Sequence, residues 1–207
     1  IQTKVGKIYN VSQLRQDILI ITDLYAQKGY AYADANPISK LNDEDRTVDL
    51  SVEIDKGKKV YVGNIDILGN IKTRDNVIRR EFRLKEGEVF DGSKLKRSKQ
   101  RINNLNYFED VKIDTHRGQD PDLIDILTTV TERPTGAFSV GIGFSSIENF
   151  IFSTSITQEN LFGNGHRLSL NAHLSSIRTD FRINFTEPRL FDSEISFGID
   201  AFNEDED

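Results

Sequence analysis

Five stretches between residues 136 and 202 alternate apolar with polar side chains, and no other feature of the chain constrains its fold as strongly. Successive side chains of a β-strand point to opposite faces, so each stretch predicts a strand with one apolar face. Each stretch is about 9–10 residues long, the length of a tilted strand that crosses a bilayer. The predominantly apolar positions, taken at every second residue, run from Phe138 to Phe144, Phe150 to Ile156, Leu168 to Leu174, Phe181 to Phe185 and Ile195 to Ala201.

The composition changes sharply near Pro134. Residues 1–134 hold 23 of the 27 Lys and Arg and 22 of the 33 Asp and Glu, whereas residues 135–207 hold 4 Arg, 11 acidic residues and no Lys. The second part also contains 10 of the 13 Phe. A soluble β-sandwich would alternate in the same way with strands of about 5–6 residues. The strand length, the Phe-rich face and the missing Lys therefore favour a membrane barrel that begins after residues 132–136.

The first part contains a repeat. Residues 6–14 resemble residues 87–95, and each match opens a predicted helix, with Asn10 and Asp91 as N-caps. Two strands are predicted after each helix, at 31–41 and 47–54 in the first copy and at 110–116 and 123–131 in the second. The second copy is preceded by a predicted strand at 60–69 and a predicted helix at 73–84. The repeated unit is therefore an α+β module of the order β-α-α-β-β.

These patterns predict three segments. Residues 1–59 form the C-terminal part of one module, residues 60–134 form a complete module, and residues 135–207 form the first strands of an antiparallel transmembrane β-barrel. Five strands cannot close such a barrel, because bacterial barrels have 8 or more. The chain opens at Ile1 without a Met or a signal peptide. We therefore expect an incomplete barrel and a chain taken from a longer protein.

Several strings within this framework resemble a known family. Residues 67–70, 77–82 and 106–111 resemble strings of POTRA domains, and the second copy resembles the POTRA domain that adjoins the barrel. Residues 158–165 and 185–188 resemble strings of the BamA (Omp85) family. The resemblance covers essentially the whole chain. It implies POTRA modules in the periplasm and barrel strands in the bacterial outer membrane.

The resemblance also implies a function. The expected function is assembly and insertion of β-barrel proteins into the outer membrane, with unfolded outer-membrane proteins, accessory lipoproteins and outer-membrane lipid as partners. Two alternatives stay open. One is a two-partner secretion or translocation-assembly pore of the same superfamily, and the other is a passive porin or adhesin with soluble modules.

Three sets of residues are candidates for these roles. The Gly-rich strand 136–145 is expected to be a lateral gate, where the barrel opens to clients, through Gly136, Phe138, Ser139, Val140, Gly141, Ile142 and Gly143. Val111 and Ile113 mark a strand that we expect at a sheet edge, where client or partner segments could add. The resemblance further implies that the helix around Arg79, Arg80, Glu81 and Arg83 docks an accessory lipoprotein, with a merely solvated helix face as the alternative, and Glu81→Lys is expected to cost the fold little.

Enzymatic and cofactor chemistry are not expected. The chain has no Cys, and its three His, at 116, 166 and 173, lack the spacing of metal ligands. Residues 163–166 lack the strand–loop–helix setting and the Lys of a phosphate loop, so they are interpreted as a turn. Nucleic acid is not an expected partner, because the sequence pI is about 5.2. The acidic run 204–207 is expected in a loop.

Overall fold

The structure is a computed structural model that describes residues 1–206. Its helices are α1 Val11–Ala26, α2 Asp75–Arg79 and α3 Gly92–Asn104, and a short 3₁₀ segment covers Leu190–Asp192. Its strands are β1 Asp34–Asn42, β2 Thr47–Asp55, β3 Tyr61–Leu68, β4 Phe108–Arg117, β5 Leu123–Glu132, β6 Gly136–Ser145, β7 Asn149–Leu161, β8 His166–Leu174, β9 Arg178–Glu187 and β10 Phe197–Glu206. Among residues 1–206, no helix is both long and apolar enough to cross a membrane.

These elements fall into two compact units. The first comprises Ile1–Asp66, Phe82–Gln100 and Ile113–Thr128. The second comprises Ile67–Glu81, Arg101–Lys112 and the chain from Thr129 onward. The predicted segment boundaries at 59/60 and 134/135 stay a prediction. The two compact units do not follow them, because the second unit contains parts of residues 60–134 as well as the strands that follow.

The first unit begins with a capped helix and a hairpin. The Asn10 side chain accepts hydrogen bonds from the backbone N–H groups of Ser12 and Gln13, at 2.9 and 3.3 Å, so it caps α1 as predicted. Strands β1 and β2 pair antiparallel, with Asn42 opposite Thr47 beside the turn. Both strands lie within about three residues of the positions that the alternation predicts.

A buried apolar cluster holds the rest of the first unit together. It consists of Val60, Val62, Ile65, Leu84, Phe90, Ile124 and Ile126. Burying each such side chain contributes about 1.5–3 kcal/mol relative to leaving it in water. Around the start of β3 and within β5, alternate side chains are buried in this cluster, and that burial holds the two strands in place. The sequence shows this pattern as Val60 and Val62 and as Ile124 and Ile126.

The predicted helix at 73–84 is wrong in its length, because α2 ends at Arg79. The backbone N–H of Glu81 donates to the carbonyl of Ile78 at 3.0 Å, a tightened last turn. In the first unit, the N–H of Arg83 donates to the Ser98 hydroxyl at 2.8 Å. Because that donor is taken by a side chain distant in sequence, it cannot continue a helix, and Leu84 instead joins the buried cluster.

Two sheets follow from the remaining strands. The smaller has the order β3-β5-β4, so β5 is central and β4 lies at an edge, as the module topology predicts. The larger has the order β10-β9-β8-β7-β6 and is antiparallel throughout. All five predicted barrel strands are therefore present. The fifth begins two residues later than predicted and continues to Glu206, so the acidic run up to that residue lies in a strand rather than a loop, while Asp207 lies outside the described residues.

Candidate functional site

Strand β6 lies at one edge of the five-stranded sheet. It pairs with β7 from Gly136 opposite Gln158 to Ser145 opposite Asn149. Within residues 1–206, β7 is the neighbour that the sheet gives it, and β10 forms the opposite edge. The outer backbone groups of β6 thus have no ladder partner in the described part of the chain. All seven predicted gate residues lie on this edge strand.

The two faces of β6 differ in chemistry. Phe138, Val140 and Ile142 point to one face, where Phe138 is 69% and Ile142 80% exposed. The neighbouring strands continue this face, because Ile156 lies opposite Phe138 and Leu170 opposite Ile156. A sheet face this apolar and this exposed is typical of strands that face lipid.

The other face is polar and carries several charges. Ser139 lies opposite Ser155, and the Ser155 hydroxyl donates to the Asn171 side-chain oxygen at 2.8 Å. On β9, the carboxylate of Asp180 lies 3.6 Å from the Arg178 guanidinium and 3.4 Å from that of Arg182. Hydrogen bonds and charge pairs of this kind suit a face that lines a water-filled interior.

The glycines of β6 are not equivalent. A Cβ at Gly141 would lie 2.6 Å from the Ser153 hydroxyl, and one at Gly136 would lie 2.7 Å from the Gln158 side-chain oxygen. A Cβ at Gly143 would lie 3.9 Å from the Ile151 Cβ, which is an ordinary contact. The atoms near Gly136 and Gly141 end side chains that can rotate away, so neither position strictly requires glycine, and Gly143 weakens the strand without any steric need.

The turn between β7 and β8 is locked to residues 72–74 within the second unit. The buried Asn160 side chain donates to the Thr73 hydroxyl at 2.8 Å and accepts from the backbone N–H of Gly165 at 2.8 Å. The backbone N–H of Arg74 donates to the carbonyl of Gly163 at 3.0 Å. A Cβ at Gly163 would lie 2.0 Å from the Lys72 carbonyl oxygen, so no other residue fits there.

Glu132 and Tyr107 extend this contact. The Glu132 carboxylate accepts hydrogen bonds from the backbone N–H groups of Lys72, at 2.9 Å, and Thr73, at 2.6 Å. Burial opposes its ionisation, but the hydrogen bonds from Thr73 and Lys72 outweigh burial and hold the pKa of Glu132 below its usual value. The Tyr107 hydroxyl donates to the Gly165 carbonyl at 3.2 Å, and burial raises the pKa of Tyr107.

The predicted exposure of Glu81 is wrong. Glu81 is 5% exposed, and its carboxylate pairs with the guanidinium of Arg101 at 2.7 Å and with that of Arg189 at 3.5 Å. Because α2 ends at Arg79, the next residues turn inward instead of continuing a solvated helix face. We therefore expect Glu81→Lys to destabilise the fold rather than to cost it little.

Arg80 makes a second contact with the β9–β10 connection. Its guanidinium lies 3.0 Å from the carboxylate of Asp192, and its side chain is 9% exposed. A Cβ at Gly165 would lie 2.6 Å from the Arg80 guanidinium, so Gly165 leaves the space that Arg80 fills. The pairs Arg80–Asp192 and Glu81–Arg189 thus hold the β9–β10 connection in place.

The other predicted partner residues are placed as follows. Arg79 and Arg83 are exposed, and Arg79 pairs with Asp75 at 2.8 Å. Lipoprotein docking through these two arginines stays a prediction. Val111 is buried and Ile113 half-buried on the edge strand β4, so their backbone rather than their side chains is available to an added strand.

The sequence prediction missed the residues that join the turns to the modules. Asn160 lies at the end of β7 and Asp192 in the 3₁₀ segment, and neither is among the candidate residues that the sequence indicates. Both have positive φ, 57° in each case, which Asn and Asp adopt more readily than most residues. For Asn160 the sequence offers a signal, a polar residue beside the glycines at 163 and 165, whereas the β9–β10 connection that contains Asp192 has no Gly. Among the side chains of residues 1–205, no group of three His, Cys, Asp or Glu is arranged to hold a metal ion.

Comparison with known proteins gives consistent matches over the whole chain. The POTRA family (surface antigen variable number repeat) matches residues 1–57 and 60–133, and the Omp85 superfamily domain matches residues 160–207. The outer membrane protein assembly factor BamA of Nitratidesulfovibrio vulgaris is 38% identical over 199 residues, which cover 96% of this chain and 25% of that protein. BamA of Neisseria meningitidis serogroup B is 36% identical over 200 residues, with the same two coverages.

A solved structure agrees with these matches. The crystal structure of BamA from Haemophilus ducreyi lacking POTRA domains 1–3 has a TM-score of 0.87 and 30% sequence identity, and the match covers 99% of this chain and 39% of that chain. The chain spans about a quarter of the length of the two curated relatives. With POTRA modules in residues 1–133 and antiparallel barrel strands after them, the chain belongs to the BamA branch of the Omp85 superfamily, whose POTRA modules are periplasmic and whose barrel lies in the outer membrane.

Proposed function

We propose that the protein to which this chain belongs assembles β-barrel proteins and inserts them into the bacterial outer membrane, with β6 as its lateral gate. The observations that carry the proposal are the exposed apolar face of β6, the first strand after the modules, and its three glycines, of which Gly143 meets no steric need. The names of the relatives support the assembly activity.

The physical argument concerns hydrogen bonds in hydrocarbon. An unpaired backbone N–H or C=O at membrane depth costs several kcal/mol, because the lipid offers no hydrogen-bond partner. A strand edge that is held open in the membrane is therefore stabilised by any extended chain that pairs with it. Main-chain pairing accepts many sequences, as a general assembly factor requires. The client's own folding supplies the free energy, so no catalytic group is needed.

The modules would act before the gate. Strand β4 is the edge of the smaller sheet and can accept an extended segment of a client or a partner. Arg79 and Arg83 offer exposed charge for an accessory lipoprotein. Strand addition at β4 is supported by its edge position, and lipoprotein docking is supported by the family resemblance.

Site-specific photo-crosslinking in the full-length protein tests both proposals. A crosslinker at Ser139 on β6 should capture a client during assembly, whereas one at Ser169 on the interior strand β8 should not. A crosslinker at Lys112 on the edge strand β4 should capture client or partner segments more than one at Thr129 on the central strand β5. Equal capture at the edge and interior positions would contradict strand addition.

A further inference from the structure

A cavity of about 550 Å³ lies at the foot of β6, against Gly136. Its lining includes two cations, Lys72 and Arg133, together with the polar side chains of Gln158 and Asn160. A volume of this size lies within the ~300–1,000 Å³ of sites that bind small molecules. All of the lining residues belong to the second unit.

The strand register shows which face of the sheet the cavity adjoins. Gln158 lies opposite Gly136, and residues two apart in a strand share a face. Gln158 therefore shares its face with Phe138 and Ile156, which are both exposed. The cavity thus lies where the exposed apolar face ends and charged groups begin.

The charge of the lining favours an anion. The Arg133 Nε donates to the carbonyl of Asn106 at 2.7 Å, which orients the guanidinium and leaves its terminal NH₂ groups for another partner. Among the side chains of residues 1–205, no carboxylate lies within ion-pair distance of Lys72 or Arg133. The acid that lines the cavity, Glu132, is already bound by the backbone N–H groups of Lys72 and Thr73. The cavity is therefore lined by two cationic residues and by one carboxylate that is largely satisfied.

Two aromatic side chains project at the same end of the sheet. Phe162 follows β7 and is 82% exposed, and Phe191 follows β9 and is 93% exposed. Both have positive φ, 54° and 53°, a conformation that costs a bulky residue free energy and persists where the surrounding turn enforces it. Membrane barrels carry aromatic residues at the level where lipid headgroups meet the acyl chains. Phe162 also lines the cavity.

We propose that this cavity binds the phosphate headgroup of a phospholipid in the periplasmic leaflet of the outer membrane. Lys72 and Arg133 contact the phosphate, and the acyl chains lie along Phe138 and Ile156. Phe162 and Phe191 enter the same leaflet beside the bound lipid. A cationic cavity at the end of an apolar face fits an amphiphile better than a free anion, because both parts of the molecule are satisfied. The inference rests on the proposed position of β6 at membrane depth.

Native mass spectrometry of the full-length protein in detergent tests the site. The protein is titrated with phosphatidylglycerol, and the bound lipid is counted for the wild type and for a cavity variant with Lys72→Gln and Arg133→Gln. The matched control, Arg97→Gln with Lys99→Gln, removes the same charge from exposed positions of α3 outside the cavity. The cavity variant should bind the lipid about tenfold more weakly or worse, and the control should match the wild type. Equal binding by the two variants would overturn the proposal.

Two further arms identify the ligand. Diacylglycerol, which has no phosphate, should not be retained, and millimolar inorganic phosphate should not displace phosphatidylglycerol. Displacement by inorganic phosphate, or equal retention of diacylglycerol, would overturn the assignment to a phospholipid. A second variant, Phe162→Asn, removes the aromatic ring but keeps a residue that tolerates positive φ. This variant should also weaken lipid retention. Unchanged retention would show that Phe162 does not contribute to lipid binding.

The same variants separate this proposal from the gate. Client capture at Ser139 is measured beside lipid retention. Normal client capture with normal lipid retention in the cavity variant would overturn the lipid site and leave the gate standing. Absence of client capture in the wild type, with lipid retained, would count against the gate alone.

Discussion

The buried Glu81 and the half-buried Arg189 form an ion pair within the second unit, with the carboxylate and guanidinium 3.5 Å apart. Arg101 donates to the same carboxylate from α3 at 2.8 Å. One acid is thus shared by two arginines, one from the module and one from the β9–β10 connection. Together with Arg80–Asp192, this arrangement fixes the turn that follows β9.

Reversing the charge of Glu81 should destabilise the protein. Glu81→Lys places a buried lysine beside two half-buried arginines, and the loss should be about 3 kcal/mol, the lower end for a buried pair, because the arginines keep some contact with water. Chemical unfolding of the full-length protein should show this loss for Glu81→Lys. The control Glu109→Lys reverses an exposed charge and should change stability by about 0.5 kcal/mol or less. Equal effects of the two reversals would show that Glu81 is not buried as described.

Gly163 should tolerate no side chain. Gly163→Ala places a Cβ 2.0 Å from the Lys72 carbonyl oxygen at a φ of +75°. The steric clash and the left-handed backbone together should cost about 2–5 kcal/mol. Gly87→Ala is the matched control, because Gly87 has a φ of +83° and no atom within 4 Å of its would-be Cβ. It should cost about 1–2 kcal/mol. Similar losses at both sites would refute the locked turn.

Glu132 should make stability depend on pH in the acid range. Its pKa is lower in the folded protein than in the unfolded chain, so its contribution is present above the ordinary value of 4.5 and is lost as the pH falls through the lowered pKa. Unfolding midpoints of the wild type should therefore fall more steeply below pH 4.5 than those of Glu132→Gln. Glu109→Gln, which removes an exposed carboxylate, should keep the wild-type slope. Parallel curves for the wild type and Glu132→Gln would contradict this account.

The sequence predicts those features that local patterns determine. The five barrel strands follow from period-two alternation, and the caps at Asn10 and Asp91 follow from a side chain beside its own helix. The edge position of β4 follows from the order of elements in the module. The strands and caps depend on residues close together in the chain, and the edge position depends on a known order of elements rather than on particular side chains.

Contacts between distant residues explain the failures. The α2 helix stops early because the Arg83 N–H binds Ser98, and Glu81 is buried because Arg101 and Arg189 reach it. No local pattern of residues 77–82 reports these partners. The turn residues Asn160 and Asp192 were missed for the same reason, since their partners Thr73 and Arg80 lie far back in the sequence.

Sealing the edge of β6 tests the central claim most directly. In the full-length protein, Ser139→Cys is paired with a cysteine on the final barrel strand, and the rate of client assembly is measured before and after reduction. Lateral gating predicts that the disulfide abolishes assembly and that a reductant restores it, while each single cysteine variant assembles clients at the wild-type rate. Assembly at the wild-type rate with the disulfide fully formed would contradict the gate.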